Sequence, residues 1–286
     1  MSAIRVQRIA GFGLNSPDAA RLTEFYAAAF GARHVSSEHI GAAQGELFSG
    51  VRGGALRHTI AIGDEKIDIL QFDTPGRPYA LPLSPYDTIF QHFALVVSDM
   101  DLALSQLERT PGWTPISRGG PQRLPERSGG VTAFKFRDPD GHPLEFLAFP
   151  GHAVPPHWKE RSKYGIFLGI DHSALSVRDT AISTAFYRSL GFSVTAQTFN
   201  YGVEQANLDG VQSPQVEVTA LSLAASAPHL ELLCYRSEVH RFSRVLASND
   251  VAATRVAMTL KGLRNDADTS PRLVIDPDDH HLLLVT

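Results

Sequence analysis

The strongest constraint on this chain is a pair of metal-capable residues that occurs twice. His92, near the start of one strand-like segment, is followed 53 residues later by Glu145, and His172 is followed 59 residues later by Glu231. The surroundings match, with Gln-His-Phe-Ala-Leu-Val-Val beside Asp-His-Ser-Ala-Leu-Ser-Val and Pro-Leu-Glu-Phe-Leu beside His-Leu-Glu-Leu-Leu. Because an imidazole and a carboxylate recur together, the pattern favours a metal site over unrelated histidines lining strands.

The repeat extends beyond these residues. Segments 9–26 and 170–187 each predict a short strand, an aspartate at a helix start, and a helix that ends in Phe-Tyr. Asp18 and Asp179 are the expected helix caps, because a carboxylate accepts hydrogen bonds from the first free N–H groups of a helix. A period of about 80 residues therefore organises the chain.

Four such units are expected, each with the order strand, helix and then a run of strands. The second and fourth units close with related hairpins, Asp-Pro-Asp-Gly-His from Asp138 and Asp-Pro-Asp-Asp-His from Asp276. The expected units cover residues of about 4–75, 89–150, 166–237 and 250–286, and in the last one the helix is hardly present. A Pro-rich linker at 153–165 then separates two expected domains, 1–152 and 166–286.

The βαβββ units, the histidine-opened strand followed by a helix ending in Phe-Tyr, and the Asp-Pro-Asp-Gly-His-Pro-Leu-Glu hairpin resemble the vicinal oxygen chelate superfamily. That superfamily includes glyoxalase I, extradiol ring-cleaving dioxygenases, and fosfomycin and bleomycin resistance proteins. The resemblance implies an α+β fold of four βαβββ modules in two tandem glyoxalase-like domains, whose curled sheets form cups. It also implies metal ligands on the first and last strands of a module, and a substrate that chelates the metal through adjacent oxygens.

The pairing of the units decides how many ligands meet. The outer units have other residues at the ligand positions: Gly11 and Asp68 in the first, and Thr254 or Arg255 with Leu283 in the fourth. If the second and third units face each other, all four predicted ligands share one cup; if pairing follows the halves of the chain, they are divided. Retention of both full sets in the central units favours the first arrangement.

The predicted metal ligands are thus His92, Glu145, His172 and Glu231, with Glu231 and Glu145 as the candidate catalytic bases. Two imidazoles and two carboxylates balance a divalent ion and leave positions open for water or substrate. Without a sulfur ligand the set suits one Fe, Ni, Zn, Mn or Co ion, and the residues do not choose among them.

Composition excludes several other classes. The net charge of −4 and pI of about 6.3 argue against nucleic-acid binding through a basic face. The single cysteine, Cys234, excludes an internal disulfide. With no apolar run long enough for a membrane span, a cytoplasmic protein with a small-molecule substrate is expected. The oligomeric state stays open, with a homodimer as one alternative.

Three functions remain after these exclusions. Resemblance to glyoxalase I implies a metal-dependent lyase or isomerase that forms an enediolate, with Glu231 or Glu145 abstracting the proton. Resemblance to extradiol dioxygenases implies ring cleavage of a catechol at Fe(II) bound by His92, His172 and Glu231. Resemblance to bleomycin resistance proteins implies a metal-free binding or resistance protein, which retention of the ligand set disfavours.

Overall fold

The chain folds as four successive units of strands and helices. The computed structural model describes residues 5–79, 83–223, 227–236, 245–261 and 271–285, without the side chains of 46–48. The first unit consists of β1 (Val6–Asn15), α1 (Ala19–Phe30), β2 (Arg33–Ile40), α2 (Ala42–Ser49), β3 (Ala55–Ile62) and β4 (Glu65–Phe72). The second consists of β5 (Gln91–Val97), α3 (Met100–Glu108), β6 (Thr114–Pro115), β7 (Gln122–Arg123), β8 (Thr132–Arg137) and β9 (Pro143–Ala148).

The second half of the chain repeats this order. A short helix, α4 (Pro156–Arg161), lies in the segment expected to link two domains, and that division of the chain stays a prediction. The third unit consists of β10 (Phe167–Ser176), α5 (Thr180–Ser189), β11 (Ser193–Tyr201), α6 (Val203–Asp209), β12 (Gln215–Ser222) and β13 (His229–Tyr235). The fourth contains β14 (Arg255–Leu260), β15 (Arg272–Ile275) and β16 (His281–Val285). The reduced helix expected in that unit would fall at 262–270, outside the described residues.

The helix boundaries follow from the residues that cap them. The carboxylate of Asp18 accepts a hydrogen bond from the N–H of Arg21, and that of Asp179 accepts from the first free N–H groups of α5. Helix α1 ends at Gly31, whose φ of 64° is a left-handed conformation that glycine adopts without steric cost. The two expected caps are confirmed.

The units pair across the chain and form two sheets. One sheet has the strand order β15-β16-β14-β1-β4-β3-β2 and joins the first unit to the fourth. The other has the order β11-β12-β13-β10-β5-β9-β8-β6, with β7 beside β8, and joins the third unit to the second. The arrangement in which the second and third units face each other is therefore confirmed.

Alternation along the strands gives each sheet an apolar face and a cavity face. Phe12 of β1 and Phe93 of β5 stack between the two sheets, with ring centroids 5.4 Å apart. On β9, the core residues Leu144 and Phe146 flank Glu145, which therefore lies on the opposite face. Burial of each such apolar side chain stabilises the fold by about 1.5–3 kcal/mol. The core thus lies between the sheets, and the predicted ligands face away from it.

Two buried tyrosines join units that the sheets leave apart. Helix α1 continues four residues beyond the Phe-Tyr pair at which it was expected to end. Tyr26 of that pair donates a hydrogen bond to Asp138 in the hairpin of the second unit, 3.2 Å away. Tyr187, at the end of α5, donates to Asp276 in the hairpin of the fourth, 2.9 Å away. The sheets join the first unit to the fourth and the second to the third, so these bonds complete a ring of contacts. Among the described residues, none of the helices has the length and apolarity that a bilayer crossing requires.

Candidate metal centre

The four predicted ligands lie on four adjacent strands. Parallel pairing sets Glu145 of β9 beside Ala94 of β5, and Glu231 of β13 beside Ala174 of β10. Antiparallel pairing of β5 with β10 brings the two histidine-bearing strands together. All four side chains line one cavity of about 240 Å³, here called the central cup, with Lys135 also in its wall.

Three of the ligands converge on one point. One atom each from His92, Glu145 and His172 can be chosen so that all lie within 4.8 Å of one another. The Nε2 of His92 is 2.8 Å from the carboxylate of Glu145. Glu231 adjoins this group, with its carboxylate 3.5 Å from the Nε2 of His172. At this distance from His172, the carboxylate of Glu231 can contact either a metal ion or a substrate.

The environment of His92 fits a metal ligand. The side chain is buried, and neither ring nitrogen has a hydrogen-bond partner among the described residues, despite the proximity of Glu145. Burial, together with the positive charge of Lys135, lowers the pKa of His92 and favours the neutral imidazole that a metal requires. Because unpaired buried polar atoms are costly, a cation that accepts the lone pair of the unprotonated nitrogen would remove part of the cost.

A bulge orients the other histidine. The register between β10 and β5 shifts between Ile170 and His172, so Asp171 and His172 both reach the cup wall although they are sequence neighbours. Asp171 lies 3.1 Å from the Nδ1 of His172 and is itself held by the indole N–H of Trp158, also at 3.1 Å. A carboxylate on Nδ1 fixes the ring so that Nε2 faces the cup.

In the central cup, neighbouring charges shift the pKa values of the titratable groups in the direction opposite to burial. Burial alone would lower the pKa of His172, but the carboxylates of Glu231 and Asp171 outweigh it and raise that pKa to about 9. Burial would raise the pKa of Glu231, but His172 and His229 lower it to about 2. The charges of Lys135 and the nearby histidines likewise outweigh burial at Glu145 and lower the pKa of its carboxyl group. Both carboxylates are therefore ionised and attract a cation.

Sequence reasoning missed a buried lysine in the wall. Lys135 lies directly across from Glu145 in the β8–β9 register, and its ammonium is 4.0 Å from that carboxylate. The ammonium also donates to Asp209 of α6 at 2.8 Å, and the hydroxyl of Tyr235 donates to the same aspartate at 2.9 Å. The alternation Phe134-Lys135-Phe136 could have indicated a lysine facing the cup.

Three other polar residues, His142, His280 and Asp68, lie outside the central cup. His142 bonds Asp138 at 2.8 Å, and the ring of His280 bonds the carbonyl of Ser176 at 2.9 Å, so both stabilise the closing hairpins. Asp68 lies in the other sheet, where it accepts a hydrogen bond from Thr59. None of these three residues reaches the central cup.

The comparisons with known proteins agree with this architecture. A model of the Glyoxalase/Bleomycin resistance protein/Dioxygenase superfamily matches residues 7–146. The matched region, residues 7–146, belongs to this superfamily. A search of curated protein sequences found no match.

Several solved structures match the fold over nearly the whole chain. A mutant glyoxalase I from Zea mays superposes with a TM-score of 0.62 at 16% identity, covering 98% of this chain and 92% of that one. Unmutated glyoxalase I from the same plant gives a TM-score of 0.57 at 15% identity, with the same coverage of 98% and 92%. A provisionally assigned dioxygenase from Bacillus subtilis gives 0.57 at 14%, covering 99% of this chain and 86% of that one. At these identities the likeness shows the fold alone.

Proposed function

We propose that the protein is a divalent-metal-dependent enzyme of glyoxalase-like type, a lyase or isomerase that acts on a small substrate with adjacent oxygens. The observation that carries the proposal is the convergence of His92, Glu145 and His172 to within 4.8 Å in a buried cavity, with a further carboxylate beside them. Nitrogen and oxygen donors of this kind, two of them imidazoles, suit Zn, Ni, Co, Mn or Fe. When bound, the metal polarises a carbonyl and balances the negative charge that develops on the substrate oxygens.

The two glutamates are suited to different roles. Glu145 is 8% exposed and lies between His92 and Lys135, so it is the better metal ligand. Glu231 is 23% exposed and lies at the edge of the triad, so it is the better base for a proton next to a carbonyl. The charges of His172 and His229 lower its pKa to about 2, so the carboxylate is ionised and can accept a proton.

The wall beside Glu145 supplies a fixed positive charge, the ammonium of Lys135. Burial would lower the pKa of Lys135, but Asp209 and Glu145 outweigh it and raise that pKa, so the ammonium remains charged. A charge already in place in a cavity that excludes water stabilises an enediolate without reorganisation. Apolar residues line much of the rest of the cup, beside polar ones such as Thr198, Asn200 and Gln205: Leu124, Val131, Leu147, Phe149, Leu208, Val216, Val218 and Leu233.

Deuterium exchange tests the role of Glu231. Metal-loaded protein in D₂O is incubated with a panel of 2-hydroxycarbonyl and 2-oxoaldehyde compounds, and loss of the proton signal next to the carbonyl is followed by NMR. Glu231→Gln is expected to slow the exchange at least about a hundredfold while metal is retained. Glu217→Gln is the matched control, because Glu217 lies on β12 and pairs with Arg236 on the face away from the cup. Exchange at the parental rate in Glu231→Gln would overturn the assignment.

A second candidate function is suggested by the triad itself. His92, His172 and Glu145 form a two-histidine, one-carboxylate set, the ligand type of non-haem Fe(II) oxygenases. This triad differs from the one expected from sequence, since Glu145 replaces Glu231. Oxygen consumption by Fe(II)-loaded protein with catechol would favour ring cleavage, and its absence alongside deuterium exchange would favour the glyoxalase-like reaction. Failure of every metal to bind would instead favour the metal-free binding protein.

A further inference from the structure

The sheet formed by the first and fourth units has a cavity of its own. It measures about 220 Å³ and is lined by residues of β1, β4, β14 and β16; it is called the outer cup here. Gly11, Asp68, Arg255 and Leu283, the four residues at the ligand positions of these units, all lie in its wall. The outer cup is thus the counterpart of the central cup, built from different side chains.

The strand register assigns each residue its counterpart. Arg255 pairs with Gly13 across β14 and β1, as His92 pairs with Ala174 across β5 and β10. Leu283 of β16 likewise occupies the place that a glutamate occupies in the second unit. The sequence left Thr254 and Arg255 as alternatives, and the register selects Arg255. The positively charged Arg255 therefore occupies the position that the metal-capable His92 has in the central cup.

The two cups carry charges of opposite sign. The ionised side chains in the wall of the central cup are two cations and three anions: Lys135 and His172, and Glu145, Asp171 and Glu231. Those in the wall of the outer cup are three cations and one anion: Arg57, Lys66 and Arg255, and Asp68. The central cup therefore attracts a divalent cation, and the outer cup attracts an anion.

The guanidinium of Arg255 is incompletely paired. The side chain is 1% exposed; one terminal nitrogen donates to the side chain of Asn15 at 2.7 Å and the other to the carbonyl of Ser248. Within the described ranges, its Nε has no hydrogen-bond partner. Burial lowers the pKa of Arg255 to about 10, and it still carries its charge at neutral pH. The guanidinium also lies over the ring of Phe72, with its central carbon 5.6 Å from the ring centroid. These contacts account for its position but leave Nε without an acceptor and the charge without a carboxylate among the described residues.

We propose that the outer cup binds a small apolar carboxylic acid as its anion, with the carboxylate accepting a hydrogen bond from Nε of Arg255. A carboxylate supplies both the missing acceptor and the missing negative charge. Beside these charged residues the wall has an apolar part, with Ile40, Leu70, Leu283 and Val285, against which a hydrocarbon body fits. The inference does not rest on the metal chemistry of the central cup.

Calorimetry with the full chain, treated with chelator to remove metal, tests this site. The probes are benzoate and isovalerate, and benzamide is the uncharged analogue. One benzoate or isovalerate per chain is expected to bind, and benzamide is expected to show no measurable heat. Arg255→Gln should weaken benzoate binding by about thirtyfold or more, since a buried charge-assisted bond is lost. Arg255→Lys keeps the charge and is expected to lose less.

Two further variants separate the site from the fold and from the central cup. Leu283→Phe leaves Arg255 unchanged but fills the cavity, and it is expected to exclude benzoate. His92→Ala removes a ligand of the central cup and is expected to leave benzoate affinity at the parental value. Equal binding of benzoate and benzamide, full binding by Leu283→Phe, dependence on His92, or no binding of either acid at millimolar concentration would each overturn the proposal.

Discussion

Removal of the carboxylate that orients His172 is expected to weaken metal binding without removing a ligand. In Asp171→Asn, the amide keeps an oxygen for the indole of Trp158, and its nitrogen then faces the Nδ1 of His172. A donor in place of an acceptor favours the wrong tautomer, in which the proton lies on Nε2. Loss of such an orienting carboxylate typically costs tenfold to a hundredfold in metal affinity, about 1.4–2.7 kcal/mol.

Competition titration with Co(II), followed by its visible absorption, measures this effect. Asp138→Asn is the matched control, because Asp138 also bonds a histidine Nδ1, that of His142, at 2.8 Å in a hairpin outside the cup. The control should lose stability and keep its Co(II) affinity. Parental affinity in Asp171→Asn, or an equal loss in Asp138→Asn, would refute the orienting role.

Three other perturbations test the surrounding network. Lys135→Met leaves the buried carboxylate of Asp209 without its cation and should lower the free energy of unfolding by about 3–5 kcal/mol in urea titrations. The double variant with Asp209→Asn should recover part of this loss. Burial lowers the pKa of His281 to about 4, so the folded state resists protonation of this ring. The neutral ring therefore contributes at most about 3 kcal/mol to the free energy of unfolding; this contribution is complete above a pH of about 6.5 and is lost as the pH falls through 4. The free energy of unfolding of His281→Asn should vary less with pH over that range. Tyr187→Phe removes the bond to Asp276 and should cost about 1.5–3 kcal/mol in the same titrations, whereas an unchanged midpoint would show that the bond between units is dispensable.

The repeat made much of the architecture predictable. His92 and His172 stand in matching segments, so their strands, the helices after them and the closing glutamates could be aligned from residues alone. Retention of both pairs in the central units also selected the pairing that the sheets have. These inferences depend on local pattern and on comparison within the chain, and neither requires a three-dimensional contact.

The missed features depend on tertiary contacts. The bulge before His172 places Asp171 in the cup, whereas strict alternation would have turned its side chain to the other face. Lys135 stays charged because Asp209, 74 residues later, reaches it from α6, a helix that the βαβββ pattern does not include. The role of Arg255 required the register between the first and fourth units, which are more than two hundred residues apart in the chain.

Metal content is the most direct test of the central claim. Protein purified without chelators is measured by elemental analysis beside His92→Ala, His172→Ala and the control His39→Ala, whose side chain is 62% exposed in the first unit. The geometry predicts about one equivalent of a divalent metal in the parent and the control, and loss of metal in both central variants. Retention of full metal in either variant, or no binding by the parent after metal is added back, would contradict the shared site.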